Sequence, residues 1–123
     1  MQIVIPMSGF GERFRAAGYT LPKPLIEVEG KPIIQHVVEM FSDEDDFIFI
    51  CNEDHLSNHK YRMQEILKSI SPSGRIVSIK SHKLGPIYAV MLALDEINLQ
   101  KATIVNYCDF TCYWDYIHFK DFA

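Results

Sequence analysis

Ile3-Val4-Ile5-Pro6-Met7-Ser8-Gly9-Phe10-Gly11-Glu12-Arg13 is the stretch from which the rest of the chain is read. The β-branched run closed by Pro6 predicts a short buried strand, and the glycines that follow at once predict a loop. Glycines there let backbone approach a ligand closely, and exposed amides beside a helix N-terminus suit phosphate oxygens. Residues Glu12 to Ala17 predict a short helix ended by Gly18, after which Pro22 and Pro24 impose an extended path with Lys23 between them. A loop of that length in a small domain is a functional candidate before any motif is named.

Working outward, Pro32 suits a first helical position, and Ile33, Ile34, Val37, Val38 and Phe41 recur at the spacing of one helical face. Phe47 to Cys51 is apolar at every position, as a strand covered on both faces is. Leu56 to Ile70 predicts one helix with Tyr61, Ile66, Leu67 and Ile70 on its buried side, broken by Ser71-Pro72-Ser73-Gly74. Arg75 to Ile79 predicts a third strand. Ile87 to Ile97 predicts a helix with Val90, Met91, Leu94 and Ile97 inward, and Ala102 to Tyr107 a fourth strand that leads into Asp109. Phe110 to Phe122 fits either a helix or an irregular segment. The β-α alternation, with no repeat or linker, predicts one domain over 1–123 and an α/β doubly wound, mainly parallel sheet with helices on both faces. In such sheets ligands sit at the carboxyl ends of strands, where Asp109 falls.

A net charge of −4 excludes a broad nucleic-acid footprint, and no apolar run approaches the ~20 residues of a membrane span. No signal peptide is visible at Met1, so a cytoplasmic setting is expected. Three cysteines, Cys51, Cys108 and Cys112, lack the density of a disulfide framework and are expected to be free thiols. Cys108 and Cys112 have no second ligand pair for zinc, and His55 with His59 lacks a third ligand, so both histidines are expected at the surface. Tyr113, Trp114, Tyr116 and Phe119 suit a core or an interface better than a base-stacking platform, since no basic groove accompanies them.

The residues with chemistry are Gly9-Phe10-Gly11-Glu12-Arg13 and Pro22-Lys23-Pro24-Leu25. Two cations around a glycine turn meet the needs of phosphoryl or nucleotidyl transfer, which asks chiefly for alignment and charge neutralisation. A dinucleotide site would place a third glycine at position 14, where this chain has Phe14. Taken singly, Arg13 reads equally well as a surface cation and Asp109 as a cap.

Together with Gly30-Lys31-Pro32, these pieces resemble the sugar-phosphate nucleotidyltransferase family, with its Gly-x-Gly-x-Arg loop, Pro-Lys-Pro-Leu and Gly-Lys-Pro step into a helix. Leu84-Gly85 resembles the family's Leu-Gly-Thr turn, with Pro86 in place of Thr. Tyr107-Cys108-Asp109 stands where Gly-Asp is usual, and Ser8 where many members carry Gly. The resemblance implies a Rossmann-like, nucleotide-diphospho-sugar transferase-like fold. It implies an NTP (CTP, UTP or GTP) over Ser8, Gly9, Phe10, Gly11 and Glu12, with Leu84 and Gly85 near base and ribose. Arg13 would steady the β- and γ-phosphates, Lys23 the α-phosphate, and Asp109 would hold Mg²⁺. The partners implied are the NTP and a phosphorylated small-molecule acceptor, with pyrophosphate released, and a homo-oligomer is left open. Residues Tyr107 to Asp115 resemble a stretch in members of capsule and surface-polysaccharide synthesis. Members normally continue with acceptor-binding strands and a second metal-binding Asp, so the chain is expected to be the N-terminal portion of a longer enzyme. The rival expectation is a nucleotide-binding or assembly module without catalysis.

Overall fold

Four parallel strands build the sheet in the order β5-β4-β1-β6, where β1 is Gln2–Pro6, β4 Phe47–Asn52, β5 Arg75–Ile79 and β6 Thr103–Val105. The computed structural model describes residues 1–9, 16, 18, 20–108 and 115–122. Apart from Ala16, the expected helix over Glu12 to Ala17 therefore lies outside the described residues, as do Phe10, Gly11, Arg13 and Asp109.

Strand β1 is the centre of the fold because every one of its residues is buried and it pairs on both sides. Its register runs Ile3↔Phe47 to Pro6↔Ile50 against β4, and Gln2↔Thr103 to Val4↔Val105 against β6. Side chains alternate between two cores. Ile3, Ile5, Phe47, Phe49 and Cys51 face a layer that includes Ile34 and Val37 of α1 (Ile33–Glu39), Met63 and Leu67 of α3 (Met63–Ile70), and Tyr116 of α5 (Tyr116–Phe122). Val4, Ile48 and Ile50 face Ala89, Ala93 and Ile97, supplied by α4 (Gly85–Leu92) and the turn after it. Each large apolar side chain buried this way contributes about 1.5–3 kcal/mol. Helices thus cover both faces of a parallel sheet, in agreement with the uninterrupted apolar run of β4.

The sheet order reverses at β1. The chain moves outward from β1 through β4 to β5, then crosses back by way of α4 to place β6 on the other side. That reversal opens a crevice between the carboxyl ends of β1 and β6.

Several local expectations are corrected. Between Pro22 and Pro24 the chain is not extended: Lys23–Leu25 is a 3-10 turn, with Leu25 N–H donating to Pro22 O at 2.9 Å. A short antiparallel pair then follows, β2 (Glu27–Val28) and β3 (Lys31–Pro32), joined through Glu29 at φ 54° and Gly30 at φ 80°. Positive φ at both turn residues marks the tight hairpin turn whose twist matches its strands. Leu56 to Ile70 is two helices, α2 (Glu53–Ser57) and α3, because Asn58 Oδ1 takes the Lys60 N–H at 3.1 Å and Arg62 adopts φ 53°. Helix α4 ends at Leu92, and Met91 and Leu94 are exposed at 61% and 44% rather than inward. The helix meets the sheet through small Ala89 and Ala93 instead, a contact that close approach favours. The fourth strand is shorter than expected, and within the stretch left open between helix and irregular segment Tyr116–Phe122 is a helix, while residues 110–114 lie outside the described residues. Among the described residues no helix is long and apolar enough to cross a membrane.

Candidate functional site

All the parallel strands release their loops at one edge of the sheet, and polar residues gather there. From β1 come Met7, Ser8 and Gly9, with Met7 N–H donating to Ile50 O at 2.8 Å so that pairing continues one residue past the strand. Ser8 is buried, and Gly9 is exposed with open space where a Cβ would stand. From β4 comes Asn52, fully buried. Its Oδ1 caps α2 by accepting the Asp54 N–H at 2.8 Å, and its Nδ2 donates to Ser8 O at 3.4 Å. From β5 come Ser81, whose hydroxyl lies 2.8 Å from Asn52 Oδ1 and 2.6 Å from Asp54 Oδ2, and His82, whose Nε2 lies 3.2 Å from Ser8 Oγ. Three separate loops are thereby tied into one polar edge, and its buried members have partners, as burial of polar groups requires.

On the β6 side, Asn106 N–H donates to Val4 O at 3.0 Å. Pro86, Ile87 and Val90 of α4 face Val105, Asn106 and Tyr107 across a cleft of about 620 Å³. Its walls are mostly apolar and it lies at the β6 end of the crevice, a suitable setting for a flat organic group beside a polar one. Gly85 begins α4 at φ 88°, a conformation that side chains rarely adopt, and Leu84 before it is 68% exposed.

Of the residues singled out in the sequence, Ser8 and Gly9 stand at the end of β1, and Leu84 and Gly85 at the entry to α4. One imidazole joins the two groups, since the Leu84 N–H donates to His82 Nδ1 at 3.1 Å. Lys23 stands in the 3-10 turn that packs against α1. Pro22, Pro24 and Leu25 around it are buried, Leu25 in the same core as Met7, which leaves Lys23 as the partly exposed member of its turn. Arg13, Phe10, Gly11, Glu12 and Asp109 lie outside the described residues. Asn52, Ser81 and His82 were not singled out in the sequence. The available signal, a polar residue closing an otherwise apolar strand, exists for Asn52 after Cys51; Ser81 and His82 follow a strand that already carries Arg75 and Ser78 and stand out by no such contrast.

The other candidate chemistries resolve separately. His55 is buried, not at the surface, and its ring meets Tyr61 edge-on at 5.9 Å. Among the described residues no group of three His, Cys, Asp or Glu could hold a metal. Cys51 and Cys108 are free thiols. Burial, aided by the nearby Cys108, pushes the Cys51 thiol up to about 12, so it is packing rather than a nucleophile.

Residues 3–114 match the MobA-like NTP transferase domain. The chain belongs to that family. Its similarity to curated proteins includes the bifunctional protein GlmU of Methanocaldococcus jannaschii, 30% identical over 80% of this chain and 22% of that protein. It also includes the glucose-1-phosphate cytidylyltransferase of Salmonella typhimurium, 31% identical over 54% of this chain and 29% of that enzyme. Among solved structures, HddC from Yersinia pseudotuberculosis complexed with GMP-PN superposes on 98% of this MobA-like chain with a TM-score of 0.70 at 24% identity. A nucleoside-diphosphate-sugar pyrophosphorylase from Vibrio cholerae superposes on 91% with a TM-score of 0.65. These two likenesses establish the fold. This MobA-like chain spans 22–29% of the curated relatives named and about half of the two solved chains.

Proposed function

We propose that the chain is the NTP-binding portion of a nucleotidyltransferase that moves a nucleoside monophosphate from CTP, UTP or GTP onto a phosphorylated acceptor. The observation that carries the reading is the position of Ser8-Gly9 and of Leu84-Gly85 at the crevice where the sheet order reverses, in a member of the MobA-like family. In the reaction an acceptor phosphate oxygen attacks the α-phosphorus, the bond to the β-phosphate breaks, and pyrophosphate leaves with that electron pair. The loop after β1 offers amides to the phosphates, the cleft of α4 and β6 takes the base and ribose, and Arg13 and Lys23 neutralise charge.

Magnesium, when bound, supplies positive charge that screens the attacking and α-phosphate oxygens from one another. Asp109, which follows Cys108 in the sequence, would hold it, since this ion keeps waters and asks for only one or two protein carboxylates beside substrate phosphates. A sugar 1-phosphate or a similar phosphate ester is the acceptor class, in keeping with the relatives' names, and capsule or surface-polysaccharide precursors are the sub-class suggested by Tyr107 to Asp115.

The test is pyrophosphate release from each NTP with Mg²⁺ and a panel of phosphate esters. Lys23→Ala is expected to cut turnover by about 10²–10³-fold with thermal stability little changed. Unaltered turnover in that variant removes Lys23 from the chemistry. Nucleotide binding without pyrophosphate release supports instead a binding module.

A further inference from the structure

We infer that His82 is a positioning residue that locks the loop after β1 and the turn into α4 in one mutual arrangement, using both ring nitrogens; the inference rests on the functional reading above, in which these two loops face the nucleotide. The tautomer follows from geometry. The Leu84 backbone N–H can only donate, so His82 Nδ1, 3.1 Å away, accepts and carries no proton. The neutral ring then holds its proton on Nε2, which donates to Ser8 Oγ at 3.2 Å. Ser8 is 3% exposed, so water does not readily replace that bond.

The imidazole is itself held in place. Tyr88 of α4 meets it edge-on with ring centres 4.8 Å apart, and neighbouring Ser81 is tied to Asn52 and Asp54. The other end of the link is equally fixed, because the Ser8 carbonyl takes the Asn52 amide and Met7 continues the pairing with β4. The result is a rigid path from Gly9 through Ser8 and His82 to Leu84 and Gly85. It joins residues 74 apart in sequence and lies across the crevice floor from the β1 side to the α4 side. A glycine-rich phosphate loop and a glycine-started helix are both conformationally permissive, and a shared clamp removes the freedom that a ligand would otherwise have to remove on binding.

Conservative variants separate the two halves of the clamp. His82→Gln puts an amide nitrogen where Nε2 stands and keeps the donor to Ser8 while losing the acceptor for Leu84. His82→Asn keeps an acceptor at the Nδ1 position and loses the reach to Ser8. His82→Ala loses both, and Ser8→Ala cuts the link from the other side.

The experiment has two readouts on the full chain. Without nucleotide, long-range proton–nitrogen spectra of the imidazoles are expected to show His82 with its proton on Nε2. Ser8→Ala is expected to move the Leu84 amide resonance, although the two residues do not touch. A proton on Nδ1, or a Leu84 amide indifferent to Ser8→Ala, overturns the inference. With CTP, UTP or GTP and Mg²⁺, His82→Ala is expected to weaken the dissociation constant of the triphosphate that binds by about tenfold, the size of two modest hydrogen bonds. His82→Gln and His82→Asn are each expected to recover part of that loss. Equal affinity in wild type and His82→Ala overturns the inference. If no triphosphate binds the wild type, the functional reading falls, while the imidazole and amide spectra still decide the clamp.

Discussion

Glu44 gathers two cations at one carboxylate. The N-terminal ammonium of Met1 lies 2.9 Å from one oxygen, Lys120 of α5 bonds the other, and the Glu44 side chain is only 5% exposed. Burial alone raises its pKa, but the hydrogen bonds and charges of Lys120 and the N-terminus outweigh that and hold it below the usual carboxylate range. A carboxylate depressed in the folded state stabilises above its unfolded pKa, and the contribution is lost as pH falls through the folded value. Acid is therefore expected to loosen the attachment of α5 to the first residue of the chain. Glu44→Gln should lower the thermal midpoint at neutral pH and flatten the decline of stability below the ordinary carboxylate range, as followed by thermal melts across pH. The sequence does not reveal this pair, because residues 44 and 120 come together only through the third dimension. The same holds for Ser8 and His82.

Strand β4 and the turn before β5 are matched in shape. A methyl group on Gly74 would lie 2.7 Å from Phe49 Cε2 and 3.1 Å from Ser71 O, and the Phe49 ring is itself stacked on Phe47 at 5.9 Å. Gly74→Ala is thus expected to cost about 1–3 kcal/mol by overpacking, read from denaturant unfolding. Elements with one dominant period were readable from sequence. The apolar run of β4 and the β-branched residues of β5 marked strands within a residue of their true bounds. Elements set by a local side-chain bond were not. The break between α2 and α3 depends on Asn58 taking a backbone amide, and the β2–β3 pair depends on Glu29 accepting a left-handed turn that Asn or Asp usually occupies. Helix α4 misled for a different reason: its apolar residues surround it, so periodicity could not tell which side is buried, and small alanines rather than Met91 and Leu94 made the contact.

The molecule as described leaves one large apolar surface open. Leu84 before α4, Ile87 and Met91 on it and Leu94 in the turn after it are 44–73% exposed, and Val105 of β6 is 50% exposed. Exposed apolar side chains of this kind beside β6, the last strand of the sheet among the described residues, favour association in water. The isolated chain is expected to self-associate with rising concentration, and Met91→Lys combined with Leu94→Lys should lower the average mass seen in sedimentation while leaving the melting curve close to wild type. Neither residue lines the cleft of α4 and β6. At this scale the sequence was most informative: alternation of strands and helices is enough to specify parallel pairing and the location of the crevice. The polar floor of that crevice was beyond it, because three loops separated by tens of residues contribute to it.

The place of β1 also has a temporal meaning. Gln2 is fully buried, and its amide bonds Asn98 O at 3.1 Å and Thr103 Oγ1 at 2.8 Å. Of the four strands of the sheet, β1 is synthesised first and is the last to be enclosed on both sides, since its neighbour β6 emerges about a hundred residues later. At about 5–20 residues per second that interval is on the order of 5–20 s. Throughout it, the Ile3-Val4-Ile5 core of the strand has one flank open and the Gln2 amide waits for the Asn98 and Thr103 partners it bonds in the finished fold.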